Sequence, residues 1–342
     1  MNIKKIILCL SVCLSMPSYG SHTTIFDDVF SMNENDSPRN FSGVALITSG
    51  KNIIFETSNN PIKAHGNVDF NIDTQFIIGS LSKQVTATLV LREVDKGMLV
   101  LDEPISTYLP ELKQQWASIV TLRHLLNHTS GITKLNQPLK TKPGDVFAYS
   151  NLGYDLLGKI VSLVSGESYS LLAMQLFESC GMDNSVSVAE NMLPPASLAG
   201  GYHEKKVGKL EFVTSLFVYS HIPSGGVIST ASDLSKWNQC LHKSNILSSE
   251  MHKEMVTKAS VRKHRWGDLG YGFALQLSND TDITEWSHSG YVKGYISTMS
   301  YYPDSDTSLI ILENTSWNPK NMNRVFYYHD KLREKLLSVM GR

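Results

Sequence analysis

Several things are scarce in this 342-residue chain, and each scarcity excludes a class of protein. There are only 4 cysteines, and Cys9 and Cys13 fall within the first 20 residues, so neither a disulfide-rich scaffold nor a clustered Cys/His zinc site can be built. Beyond the N-terminus no Lys/Arg run is longer than a pair such as Lys205-Lys206, and the formal net charge is -1, which removes the basic footprint of a nucleic-acid binder. No fixed-period repeat occurs, so a solenoid or propeller is excluded. What remains is an ordinary globular composition, 42% hydrophobic and 18% charged, in a chain longer than one small core requires. A large catalytic unit, or two lobes sharing a site, is the expectation.

The N-terminus reads differently from the rest. Lys4 and Lys5 precede an apolar run over residues 6–16, followed by Pro17, Ser18, Tyr19 and Gly20. This is the pattern of a secretory signal peptide over residues 1–20, too short to span a bilayer. Export to the periplasm or beyond is expected, with no integral membrane segment after cleavage. Cys13 would leave with the signal, because Val12 stands where a lipid-attachment site wants a small residue. Cys180 and Cys240 remain, and we read them as two buried free thiols.

Residues 43–48 and 53–57 are β-rich runs joined by Ser49-Gly50-Lys51-Asn52, a hairpin. Apolar residues recur at helical spacing from Leu81 until Gly97, placing Ser80 at a helix start. Helices are expected at 121–127, 152–165 and 169–177, and strands at 272–277, 283–287, 295–302 and 308–312. A final amphipathic helix over 325–339 would cover one sheet face. The predicted fold class is α/β (α+β): an antiparallel sheet from both termini (about 21–76 and 215–342) flanked by helices, with an inserted mainly helical lobe (about 77–214).

Ser80-Leu81-Ser82-Lys83 puts a hydroxyl and an amine three residues apart, on one face of a helix. A serine hydroxyl is a weak nucleophile until a base accepts its proton, which a lysine in a cleft can do. A second Ser-x-x-Lys, Ser260 to Lys263, lies in a charged segment without a buried helix start, so context selects Ser80. Tyr149-Ser150-Asn151 follows Pro143-Gly144 in a loop, and His288-Ser289-Gly290 closes the strand expected at 283–287. His124, His128 and Ser130 are read as structural, turning the chain at Gly131, and Trp286, Tyr301, Tyr302, Tyr327 and Tyr328 as packing residues.

Together these motifs resemble the class C β-lactamase, DD-peptidase and esterase group of penicillin-recognising serine hydrolases, whose signatures are a Ser-x-x-Lys helix start, a Tyr-x-Asn loop and a Lys/His-x-Gly strand. The segments 121–132, 143–154 and 224–234 are similar as well. The resemblance implies an acyl-enzyme on Ser80, with Lys83 and Tyr149 sharing proton transfer. It also implies substrate binding by Asn151, His288, Ser289 and Gly290, an oxyanion hole from the backbone N–H groups of Ser80 and Tyr291, and no metal or cofactor. The substrate would be an amide, peptide or ester, with weak β-lactam hydrolysis at most, because a mostly neutral histidine stands where class C enzymes carry a charged lysine. A penicillin- or peptidoglycan-peptide-binding protein with little turnover is the alternative.

Overall fold

The computed structural model describes residues 23–30, 37–62, 69–189, 193–214, 221–278 and 282–341. Residues 1–20, where the sequence pattern suggests a signal peptide, lie outside them. An eight-stranded sheet dominates, with strands in the spatial order Asn52–Asn59, Gly43–Ser49, Thr307–Glu313, Tyr295–Tyr302, Glu285–Val292, Gln276–Ser278, Gly267–Tyr271 and Ser260–His264. Every neighbouring pair is antiparallel. The N-terminal hairpin therefore joins the C-terminal strands by pairing Gly43–Ser49 with Thr307–Glu313.

Gly43–Ser49 and Thr307–Glu313 are nearly continuous apolar runs because both faces of the sheet are covered. Ala45, Ile47, Leu309 and Ile311 pack with Leu332 and Leu336 of the Tyr327–Met340 helix and with Phe26 and Val29. Val44, Leu46, Ile310 and Leu312 point the other way, into the larger core with Leu234, Trp237 and Leu241 of the Ala231–Lys243 helix. The Ser82–Asp95 helix is enclosed on almost every side, with Ser82 through Leu91 all buried. It packs against Asn151–Ser165 and Ile222–Gly225. No single helix among the described residues is long and apolar enough to cross a membrane.

Several sequence expectations are corrected. The strand expected at 272–277 is instead two, Gly267–Tyr271 and Gln276–Ser278, separated where Ala274 takes φ 57°. The strand expected to end at residue 287 runs on to Val292, because His288 through Val292 keep pairing with Met299 through Tyr295 until Gly294, at φ 98°, turns the chain. The C-terminal helix is divided into Met322–Val325 and Tyr327–Met340. Cys180 and Cys240 are a disulfide with Cα atoms 5.5 Å apart, not free thiols. Cys180 caps the Tyr169–Ser179 helix and Cys240 lies on Ala231–Lys243. Only the docking of those two helices, across a separation of 60 residues, brings the sulfurs together.

Candidate active site

Ser80 sits in a 3-10 turn, Gly79–Leu81, that feeds directly into the Ser82–Asp95 helix. Ser82 anchors that turn from below: its hydroxyl donates to Gly79 O at 2.7 Å and accepts from Val227 N–H at 3.1 Å. Gly79, at φ 55°, rests against the Glu285–Val292 strand, where a Cβ would meet Gly290 Cα and Tyr291 N at 3.2 Å. Gly290 is equally constrained, since a Cβ there would overlap Ser297 Oγ and Ile78 O and lie 3.1 Å from Ser80 N. The two glycines thus bring the backbones at Ser80 and Tyr291 side by side.

One helical turn on, Lys83 is fully buried and its amine makes three contacts: Ser80 Oγ at 3.2 Å, Asn151 Oδ1 at 2.8 Å and Ser224 O at 2.5 Å. Its Nζ also lies 4.9 Å from the ring centre of Tyr149 and 5.4 Å from that of Tyr154. Two of the three partners are carbonyl oxygens, which can only accept. With two N–H bonds committed to them, the third direction of the amine faces Ser80 Oγ in either protonation state. A proton can therefore pass between Ser80 and Lys83 without leaving any group unpaired.

Tyr149 Oη donates to Ser80 Oγ at 2.7 Å from the opposite side and is partly exposed to the cleft. His128 holds the loop on which Tyr149 is carried. Its backbone carbonyl accepts from Ala148 N–H at 2.7 Å and its Nδ1 accepts from Ser150 N–H at 3.2 Å, so both neighbours of Tyr149 are tied to one residue. The His128 ring is buried 4.3 Å from the Tyr149 ring, and burial, reinforced by the nearby Lys83 charge, pushes its pKa well below the usual histidine range. His128 sits at φ 58°, an uncommon conformation for a non-glycine residue. The structural reading of His128 was thus right, although the reason, a clamp on Tyr149, was not visible in the sequence. His124 caps the Leu122–Leu126 helix.

His288 departs from its expected role. Its ring is fully buried, with Nε2 3.0 Å from Tyr271 Oη and Nδ1 2.9 Å from Ser289 O. Nδ1–H donates to that carbonyl and Nε2 accepts from the tyrosine, which burial keeps protonated. Burial, then the charges of Arg262 and Lys83, hold His288 far below the usual histidine pKa, so it is neutral, as its residue type led us to expect. Ser289 and Gly290, not the His288 side chain, line the cleft: Ser289 faces the opposite way to His288, and Gly290 contributes only backbone. Ser80, Lys83, Tyr149, Asn151, Ser289, Gly290 and Tyr291 do converge.

The cleft at Ser80 has a volume of about 540 Å³. A larger cavity of about 620 Å³ beside the Cys180–Cys240 bridge is lined by no carboxylate or histidine, and so holds no comparable constellation. Residues 36–332 match the model of the beta-lactamase family. This chain belongs to the beta-lactamase family. Like other members it is a serine hydrolase by type, related to a penicillin-binding protein of Bacillus subtilis (strain 168) at 28% identity over 312 residues, 80% of this chain and 68% of the relative. The structure of a penicillin binding protein from Bacillus halodurans superposes with TM-score 0.70 at 26% identity, covering 86% of this chain and 95% of the other. The fold is also that of a D-amino acid amidase from Ochrobactrum anthropi SV3, with TM-score 0.77 at 22% identity, covering 93% and 99%.

Two groups in the cleft escaped the sequence reading. The Ser224 carbonyl lies in a Ser-Gly-Gly segment whose similarity had been noted without a role. Arg262 belongs to the only basic run near the second Ser-x-x-Lys, but nothing in the sequence joins that run to Ser80.

Proposed function

We propose that this beta-lactamase-family chain is an exported acyl-transferring hydrolase that cleaves an amide, peptide or ester through an acyl-enzyme on Ser80. The observation that carries the reading is the amine of Lys83, held by two carbonyl oxygens with its remaining direction on Ser80 Oγ. Ser80 Oγ attacks the substrate carbonyl as its proton passes to Lys83. Tyr149, 2.7 Å from the same oxygen and open to the cleft, protonates the departing amine or alcohol and later activates the deacylating water. Negative charge on the carbonyl oxygen is met by the N–H groups of Ser80 and Tyr291, whose alignment depends on Gly79 and Gly290. Asn151, with Oδ1 engaged by Lys83, presents its amide N–H group to the acyl portion, and Ser289 and Gly290 border the cleft. His288 supports the strand from inside.

Relatedness to penicillin-binding proteins supports peptide-like substrates, and the residue 1–20 pattern supports export. The test is intact-mass spectrometry of the mature protein over a time course with benzylpenicillin, with Ser80→Ala as control. A penicillin-sized adduct absent from the variant, on a chain lacking residues 1–20, is the expected outcome. A persistent adduct without turnover of any ester, amide or peptide would instead identify a binding protein. No adduct on Ser80 with penicillin or any acyl donor would sink the acyl-enzyme.

A further inference from the structure

The cavity of about 620 Å³ beside the Cys180–Cys240 bridge shares no lining residue with the cleft at Ser80. Its volume is that of a small-molecule site. Leu46, Ile53 and Ile72 supply apolar wall, and the hydroxyls of Thr48 and Ser235 satisfy each other at 2.9 Å. Among the described residues Lys51 and Lys236 are the only charged groups that line it, so its lining carries only positive charge. Lys51 is exposed on the turn between Gly43–Ser49 and Asn52–Asn59 and has no ion pair among the described residues.

Both cysteines belong to the wall of this cavity, and they are not equivalent. Cys180, at the end of the Tyr169–Ser179 helix, is half-buried, whereas Cys240 is buried within the Ala231–Lys243 helix. Lys236 stands one helical turn before Cys240, on the same face. Its amine donates to Gly181 O at 2.8 Å, on the residue after Cys180, and to Asp233 Oδ1 at 2.9 Å, so one of its three N–H groups is uncommitted among the described residues. One turn after Cys240, the Ser244 hydroxyl lies 3.8 Å from Cys240 Sγ. A thiolate released at Cys240 therefore forms between a cation and a hydroxyl, and a cation nearby lowers a thiol's pKa and makes it a better leaving group.

We propose that Cys180 is a modification site for a small, carboxylate-bearing thiol that docks in this cavity. The incoming thiolate attacks Cys180 Sγ; the Cys180–Cys240 bond breaks, and its electron pair leaves on Cys240 as a thiolate beside Lys236. The products are a mixed disulfide on Cys180 and a free Cys240, with no net oxidation or reduction. Lys51, unpaired on its turn, meets a carboxylate of the incoming molecule. A concave site of this size suits a small thiol better than a cysteine carried on a folded partner. The competing role is an inert bridge that only staples the two helices together.

Reduced glutathione and its diethyl ester, which lacks the free carboxylates, separate the two roles. The native protein is incubated with each, alkylated, and read by intact mass and peptide mapping. Carrying Ser80→Ala throughout keeps the ester probe from being hydrolysed and makes the outcome independent of the acyl-enzyme. Glutathione should add to Cys180 and leave Cys240 alkylated, about tenfold or more faster per thiolate than the ester. Lys51→Gln should bring the glutathione rate down to near that of the ester, and Lys236→Gln should slow both thiols about three- to tenfold. Position 51 lies on an exposed turn, so its variant decides the matter even if melting shows Lys236→Gln unfolded. Equal rates with the two thiols, an adduct on Cys240 in place of Cys180, or exchange only after denaturant has unfolded the chain would overturn the proposal.

Discussion

Among the described residues two basic side chains, those of Lys83 and Arg39, are completely buried, and they are accommodated in opposite ways. Arg39 meets the Glu313 carboxylate with two parallel bonds of 2.7 Å and gives further donors to Arg324 O, Asn40 O and Val325 O. Glu313 is held in turn by His329 Nε2 at 2.9 Å. Lys83 meets no carboxylate at all among the described residues, only a hydroxyl and two carbonyl oxygens. The Arg39 charge is neutralised and every donor is spent, so its geometry is locked. The Lys83 amine keeps one direction whose partner can itself give up a proton. Burial alone therefore does not separate a structural cation from a chemical one; the ability of the partners to exchange protons does.

The largest expected effect of breaking this comparison is on catalysis. Lys83→Ala should lower kcat/KM by roughly 10³- to 10⁴-fold on any substrate turned over, while the melting temperature moves little. A drop of less than tenfold would remove Lys83 from the chemistry. Arg39→Met should do the reverse, because it strands the Glu313 carboxylate inside the fold. A loss of about 3–5 kcal/mol in unfolding free energy is expected, with kcat of the folded fraction little changed, as denaturant titration with parallel kinetics would show. A stability change under 1 kcal/mol, on the scale of exposed pairs, would mean that the ion pair is dispensable.

Between these extremes lies His128, which touches neither the substrate nor Ser80 but ties both neighbours of Tyr149. His128→Ala should reduce kcat about 10- to 100-fold, with KM changed less. Unchanged kcat with a merely less stable protein would reduce it to packing. The smallest effect, taken group by group, is on stability against acid. Burial pushes His128, His288 and His329 below their unfolded value near 6.5. Burial would raise Glu313, but the Arg39 charge and the His329 hydrogen bond outweigh it and leave its pKa lowered. In each case the unfolded chain binds protons first as pH falls. Stability is thus full above about pH 6.5 and drops on acidification by up to about 1.4 kcal/mol per pH unit for each histidine kept neutral. A melting temperature flat from pH 7.5 to 5.5 would contradict this.

Short-range patterns were legible in the sequence because the groups concerned lie within a turn or a strand of one another. Ser80 and Lys83 are neighbours on consecutive helical turns, the first hairpin is set by its own turn residues, and the β-branched and aromatic runs at 295–302 and 308–312 announce the strands found there. The strand errors at 272–277 and 283–287 came from the same source: local pattern cannot show where a partner strand continues. His288 illustrates the limit well. Its type correctly suggested a neutral imidazole, but its direction depends on the phase of a strand whose length is fixed by pairing with 295–302.

By itself, then, the sequence determined the family, the fold class, the Ser80–Lys83 pair and the signatures around them, since each is written in residues close along the chain or in motifs of fixed order. The tertiary structure alone decided that Ser224 O completes the lysine's cage, that His128 clamps Tyr149, that Cys180 meets Cys240, and that Arg262 enters the cleft. Those contacts join positions 22 to 141 residues apart, or depend on which face of a strand or loop a side chain occupies. Such distances are set by how helices dock on a sheet, and no local spacing encodes them.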